Sequence, residues 1–118
     1  QGAVQKFRES NSNYLISVTD YRYTPVRAFT SDESGLLKSY WADSSNFAGG
    51  EEIFSRSQDH PEFRVDCGSM YLVETESFLD CHTLHGEPTQ GFYMPPERAW
   101  DIDDEFDFKI AEMLMKRY

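Results

Sequence analysis

Two carboxylates separated by one apolar residue stand near the C-terminus, in the run Trp100-Asp101-Ile102-Asp103-Asp104-Glu105-Phe106-Asp107. In an extended segment, side chains at i and i+2 project to one side and the residue between them to the other. Asp101 and Asp103 would then face one space, with Ile102 anchoring the strand in a core. Two hard oxygen donors in that arrangement suit Mg²⁺, which is commonly held by one or two carboxylates plus substrate phosphates. An EF-hand does not fit, because the glycine at loop position six and the glutamate at position twelve are absent. The competing reading is a solvated helix entrance. Asp104 and Asp107 have a different spacing, three apart at the start of an apolar-periodic run. That spacing predicts an N-cap and a first-turn acid. The stretch therefore divides into a candidate metal pair, Asp101 and Asp103, and a cap.

A second constellation is Arg56-Ser57-Gln58-Asp59-His60-Pro61, followed by Asp66-Cys67-Gly68-Ser69-Met70-Tyr71. Arg56 could clamp a carboxylate through a bidentate pair, and Gln58 could hydrogen-bond a sugar or an amide. Gly68 would let a ligand approach the backbone at the start of a strand. The competing reading is a surface loop leading into a core strand, with Tyr71 buried. No nucleophilic triad stands out: His60, His82 and His85 all fall in predicted loops and are expected at the surface. Cys67 and Cys81 form no CxxC and no disulfide scaffold, and are read as reduced thiols of a cytosolic protein. Cys81-His82-Thr83-Leu84-His85 lacks the partner cluster that a zinc site needs.

The elements that must position these groups are legible from periodicity. Residues 2–10 read as the end of an amphipathic helix with Val4 and Phe7 on one face. Tyr14 to Thr19 is a strand rich in apolar and β-branched residues. Residues 26–30 and 36–41 flank Ser31-Asp32-Glu33-Ser34-Gly35 and predict a β-hairpin. Residues 42–62 show no period, and Gly49-Gly50 there is loop punctuation. Val65 to Glu74 is a second strand, Thr75 to Leu79 one or two helical turns, 80–90 a loop, and Gly91 to Met94 a short strand ended by Pro95-Pro96. Asp104 to Arg117 is a helix with Phe106, Ile110, Met113 and Leu114 as its apolar stripe. Strands and helices alternate, which favours an α/β class, and the few strands read as the second half of a doubly wound domain.

The 118 residues amount to one domain or part of one, and nine Phe, seven Tyr and two Trp can build a core. Formal net charge is −10, which argues against a general binder of nucleic acid or of an anionic membrane. No apolar run approaches the ~20 residues of a membrane span, and no signal peptide is visible.

Together, Arg56-Ser57-Gln58-Asp59 with Pro61, Asp66-x-Gly68-x-x-Tyr71, and Met94-Pro95-x-Glu97-Arg98-x-x-Asp101-Ile102-Asp103-x-x-x-Asp107 resemble the cytidylyltransferases that activate nine-carbon sugar acids. These are the relatives of the CMP-sialic acid synthetases, and the resemblance is to their pseudaminic acid branch. Ile16-Ser17-Val18-Thr19 and Pro25-x-Arg27-Ala28 add to it, so that it covers most of the chain. The resemblance implies a Rossmann-like nucleotidyltransferase fold, of which residues 1–118 are the C-terminal portion of a single domain: a mixed sheet with flanking helices and a β-hairpin. It implies transfer of CMP from CTP to the anomeric 2-hydroxyl of a nine-carbon sugar acid, pseudaminic acid, with release of pyrophosphate. It implies Mg²⁺ on Asp101 and Asp103 as the catalytic and metal pair, and a sugar acid bound by Arg56, Gln58, Gly68 and Tyr71. It also implies a cytoplasmic enzyme of surface-glycan precursor synthesis and a homodimer, for which the hairpin around 26–41 is a candidate contact.

The sequence departs from the family in three places. Sialic acid relatives place Arg directly before Gln, whereas Ser57 intervenes here. They carry aromatic residues near Leu84-His85. The Gly-rich basic loop with which the family binds CTP has no counterpart in these residues, so the chain is expected to be the C-terminal half of a longer protein and inactive alone. Two alternatives stand beside this reading: an enzyme for sialic or legionaminic acid, and a non-catalytic acidic α/β module that binds a partner or a cation.

Overall fold

Tyr14–Asp20 forms strand β1, the centre of a three-stranded sheet. Being flanked on both edges, it takes the most apolar and β-branched run of the chain, and Tyr14, Leu15, Ser17 and Thr19 are buried along it. The structure, a computed structural model, describes residues 2–41 and 56–116. The chain forms two compact units, one made of the residues up to Asp20 and from Arg64 onward, the other of Tyr21–Phe63.

In the first unit, helix α1 (Gly2–Glu9) precedes β1, and strand β4 (Arg64–Val73), helix α2 (Thr75–Cys81), strand β5 (Thr89–Tyr93) and helix α3 (Glu105–Met115) follow. The sheet order is β4-β1-β5. β4 runs antiparallel to β1, from Tyr14 opposite Val73 to Asp20 opposite Arg64. β5 runs parallel to β1, from Tyr14 opposite Thr89 to Val18 opposite Tyr93. The mixed sheet and flanking helices match the expected α/β class. α1 lies against β5, and a Cβ on Gly2 would stand 3.8 Å from the Phe92 ring. The buried residue of α1 is Ala3, one turn before the half-buried Phe7, while Val4 is exposed. The apolar face is thus the i, i+4 pair of Ala3 and Phe7, not the expected pairing with Val4.

α3 is set by its cap. Asp104 accepts the N–H groups of Phe106 and Asp107 at 2.8 and 2.9 Å, and the Asp107 carboxylate accepts the Asp104 N–H at 3.3 Å. This capping box satisfies helix donors that have no partner of their own within the helix. Of the expected stripe, Ile110 and Leu114 are half-buried, whereas Phe106 and Met113 are each 68% exposed. Phe106 sits in the first turn beside the solvated cap, so the covered stripe narrows to the i, i+4 pair.

The second unit contains the hairpin of β2 (Phe29–Ser31) and β3 (Leu37–Ser39), with Phe29 opposite Ser39 and Ser31 opposite Leu37. The strands are shorter than expected, because Pro25–Arg27 form a 3₁₀ turn. Pro25 presets φ there, and the Thr24 hydroxyl accepts the Val26 N–H at 3.4 Å. The turn of the hairpin is organised by Asp32, whose carboxylate accepts the Ser34 N–H at 2.9 Å, the Ser34 hydroxyl at 2.7 Å and the Leu36 N–H at 3.0 Å. Gly35 takes φ of 84° to close it. The Trp41 indole N–H donates to the Pro25 carbonyl at 2.6 Å. Gly49-Gly50 lies outside the described residues.

Candidate functional site

β4 does not pair continuously with β1. Ile16 faces Tyr71 and Val18 faces Asp66, so that Cys67 to Met70 bulge out opposite Ser17 alone. The buried Ser17 hydroxyl fills the gap in the ladder by accepting the Met70 N–H at 2.9 Å. Bulges of this kind re-aim side chains, and they are common beside active sites.

Asp66 holds the bulge at two points. One carboxylate oxygen accepts the Gly68 N–H at 2.9 Å, and the other accepts the Tyr71 hydroxyl at 2.7 Å. The first bond is the local Asx geometry that short acidic side chains favour. Gly68 stands at φ of 66°, in the left-handed region. A Cβ there would lie 3.2 Å from Oδ2 of Asp101, so the glycine backbone and the Asp101 carboxylate are in close approach.

Asp101 is delivered by the segment after β5. The Met94 N–H donates to the Val18 carbonyl at 2.8 Å, the prolines end the strand, and Pro96–Arg98 make a 3₁₀ turn into the buried Ala99. The other Asp101 oxygen accepts the Ile102 N–H at 3.0 Å. The expected strand alternation at 101–103 is not formed. Ile102 is 51% exposed and anchors no core, and the Asp103 N–H donates to the Asp107 carboxylate at 3.2 Å. The capping box takes this backbone into the helix entrance before a strand can form. Asp101 is placed by its approach to Gly68, and Asp103 by the cap.

Tyr71 is half-buried and meets the His85 ring edge-on, with centroids 5.3 Å apart. The Asp66 hydrogen bond, partial desolvation and the charges of Asp66 and Asp101 push its phenol above the usual 10.0. Its hydroxyl therefore remains protonated and donates to Asp66. Gly68, Tyr71 and Asp101 are thus brought together as one group. Arg56 and Gln58 belong to the other unit, both exposed, at the 3₁₀ turn Ser57–Asp59, where the Asp59 N–H donates to the Arg56 carbonyl at 2.9 Å. Asp66 stands in the motif Asp66-x-Gly68-x-x-Tyr71 with no role assigned to it from the sequence, and Asp-x-Gly, the pattern of a local Asx turn, is the signal that points to it.

At the far end of the same sheet, Asp20 pairs with Arg64 and accepts the Tyr93 hydroxyl at 2.8 Å, while the Arg64 guanidinium lies 4.9 Å from the Tyr93 ring centre. This triple ties β4, β1 and β5 together where the backbone ladder ends. Cys67 is buried and Cys81 exposed, both as free thiols.

Among the described residues, no group of three or more His, Cys, Asp or Glu side chains could hold a metal ion. The donors on offer are the exposed carboxylates of Asp101 and Asp103. Two carboxylates match the demand of Mg²⁺ when substrate phosphates and water complete its shell, and they do not match a cation that needs an all-protein cage. None of the described helices is long and apolar enough to cross a membrane.

No family model matches the chain. Individual relatives do. A pseudaminic acid cytidylyltransferase of Campylobacter jejuni subsp. jejuni serotype O:23/36 is 27% identical over 114 residues, covering 97% of this chain and 46% of that protein. The chain is similar to the C-terminal half of pseudaminic acid cytidylyltransferases along almost its whole length. The post-translational flagellin modification protein B of Campylobacter coli is 27% identical over 115 residues, covering 97% of this chain and 45% of that protein. A CMP-N,N'-diacetyllegionaminic acid synthase of Campylobacter jejuni is 34% identical over 65 residues, covering 55% of this chain and 28% of that protein. The chain spans about half the length of the first of these relatives. The likeness read from the motifs is therefore found across the chain, and the α/β fold with its mixed sheet is consistent with a nucleotidyltransferase.

Proposed function

We propose that this chain is the C-terminal part of a cytidylyltransferase domain that transfers CMP from CTP to a nine-carbon sugar acid, pseudaminic acid, in the cytoplasm. The anomeric hydroxyl oxygen bonds to the α-phosphorus, the bond from that phosphorus to the bridging oxygen breaks, pyrophosphate leaves, and the hydroxyl proton is lost. The observation that carries the reading is the approach of Asp101 to the Gly68 bulge, within a chain whose relatives bear that activity in their names. Tyr71 and the open backbone at Gly68 form the wall for the sugar acid. Arg56 and Gln58 are assigned to the same substrate by resemblance alone, as is a homodimeric assembly. Asp101 and Asp103 would hold Mg²⁺, which when bound neutralises phosphate charge and stabilises the departing pyrophosphate.

The experiment is a pyrophosphate-release assay of the full-length protein with CTP and a panel of sugar acids. Activity with pseudaminic acid supports the reading, and silence there with activity elsewhere moves the substrate. The 34% identity of residues here to a legionaminic acid synthase makes legionaminic acid the second candidate on that panel. Asp101→Ala should lower turnover most at limiting Mg²⁺. Unchanged turnover there removes the metal role, and a full-length protein silent with every acid on the panel favours a non-catalytic acidic module.

A further inference from the structure

The Tyr71 phenol has one proton to give and lone pairs to receive. It gives that proton to a carboxylate oxygen of Asp66 at 2.7 Å, a charge-assisted bond and stronger than a neutral one. The carboxylate cannot swing away freely, because its other oxygen accepts the Gly68 N–H and its backbone is in register with Val18. The tyrosine ring is fixed on another side by the edge contact with His85. The hydrogen bond to Asp66 is the largest cause that opposes ionisation of the phenol. A ligand acceptor would have to win the phenol proton from a bound carboxylate, whereas a ligand donor meets an unused lone pair.

We infer that Asp66 is a positioning residue that fixes the polarity of Tyr71, so that the phenol oxygen accepts from a ligand hydroxyl or amide N–H and turns away a ligand carboxylate. This deepens the proposed function and rests on its placement of the sugar acid against Tyr71. It assigns Tyr71 to the hydroxyl or acylamino groups of the sugar acid, and leaves the acid group of the substrate to other residues.

The test uses full-length protein with tyrosine labelled by ¹³C at Cζ, the Tyr71 signal being identified by its loss in Tyr71→Phe. Asp66→Asn, which keeps the side-chain shape, and Asp66→Ala are both titrated. In each, Tyr71 should ionise at lower pH than in the parent. Steady-state rates should show KM for the sugar acid raised about tenfold by Asp66→Ala, as for loss of one hydrogen bond, with kcat changed much less. Tyr71→Phe should raise KM similarly, and the double variant should be no worse than either single one. Unmoved Tyr71 ionisation in Asp66→Asn overturns the inference, and so do additive effects in the double variant. A full-length protein that transfers CMP to no sugar acid overturns the proposed function, and the tyrosine titration still decides whether Asp66 sets the polarity of Tyr71.

Discussion

Oδ2 of Asp101 lies 3.2 Å from the point that a Cβ on Gly68 would occupy. The two residues come from different elements, the bulge of β4 and the entrance of α3. Their approach depends on a backbone at φ of 66° that only glycine adopts without strain. Gly68→Ala would combine a left-handed penalty of about 1–2 kcal/mol with a displaced carboxylate. The expected outcome is a lower denaturant midpoint, together with reduced CMP transfer by the full-length protein. Gly68→Asn tests the two effects apart, since Asn tolerates the left-handed region but brings the same Cβ. Its stability should recover more than its activity.

Ser17 is the opposite wall of the bulge. It is fully buried, and its hydroxyl is the partner of the Met70 N–H. Ser17→Ala leaves that donor without an acceptor at a cost of roughly 1–3 kcal/mol. Amide exchange should show faster opening at Met70, spreading to Gly68, with less change at Leu15 in the paired part of the strand. Uniform acceleration along β1 would mean that the hydroxyl does not hold the bulge locally.

What the sequence shows of this fold is mostly local. β1 is legible because apolar and β-branched residues concentrate in it. The cap of α3 is legible because Asp104 and Asp107 act within one turn, and the hairpin because Asp32 and Gly35 carry the turn chemistry themselves. The site is legible only in part. Asp101 stands out by its neighbours, but its partner Gly68 is distant in the chain, and nothing local to either residue announces the other. The role of Asp66 is not legible because it depends on the bulge, which brings Gly68 and Tyr71 within reach of one side chain. Ile102 departs from strand alternation because the capping box sets the backbone there, leaving the residue half exposed.

The capping box makes its own test. Asp104 serves two donors of the first turn, while the Asp107 carboxylate serves the Asp103 and Asp104 N–H groups. Asp104→Ala should destabilise by about 1 kcal/mol, the usual cost of a lost N-cap. Asp107→Ala should cost less, and the double variant less than the sum, because each side chain holds the backbone that the other bonds. Thermal unfolding of the four proteins gives the coupling. Additive costs would mean that the two aspartates act independently.

Acid should loosen the hairpin turn through Asp32. The Asp32 carboxyl is held below its usual 3.8 first by the Ser34 hydroxyl, then by the Leu36 N–H, against a smaller opposing effect of desolvation, with the Ser34 and Gly35 N–H groups adding to the lowering. A carboxyl whose folded value is depressed gives stability that is present above its unfolded value and is lost as pH falls through the folded one. The loss should therefore fall below pH 3.8, as the turn gives up a charged acceptor that serves several donors. Amide signals of Ser34 and Leu36, followed from neutral to acid pH, should shift together with a midpoint below 3.8. Asp32→Asn keeps an acceptor oxygen but removes the titrating group. It should abolish that transition while weakening the turn at neutral pH, because a charged acceptor bonds more strongly than an amide. A transition that survives in Asp32→Asn would place the acid sensitivity elsewhere in the unit.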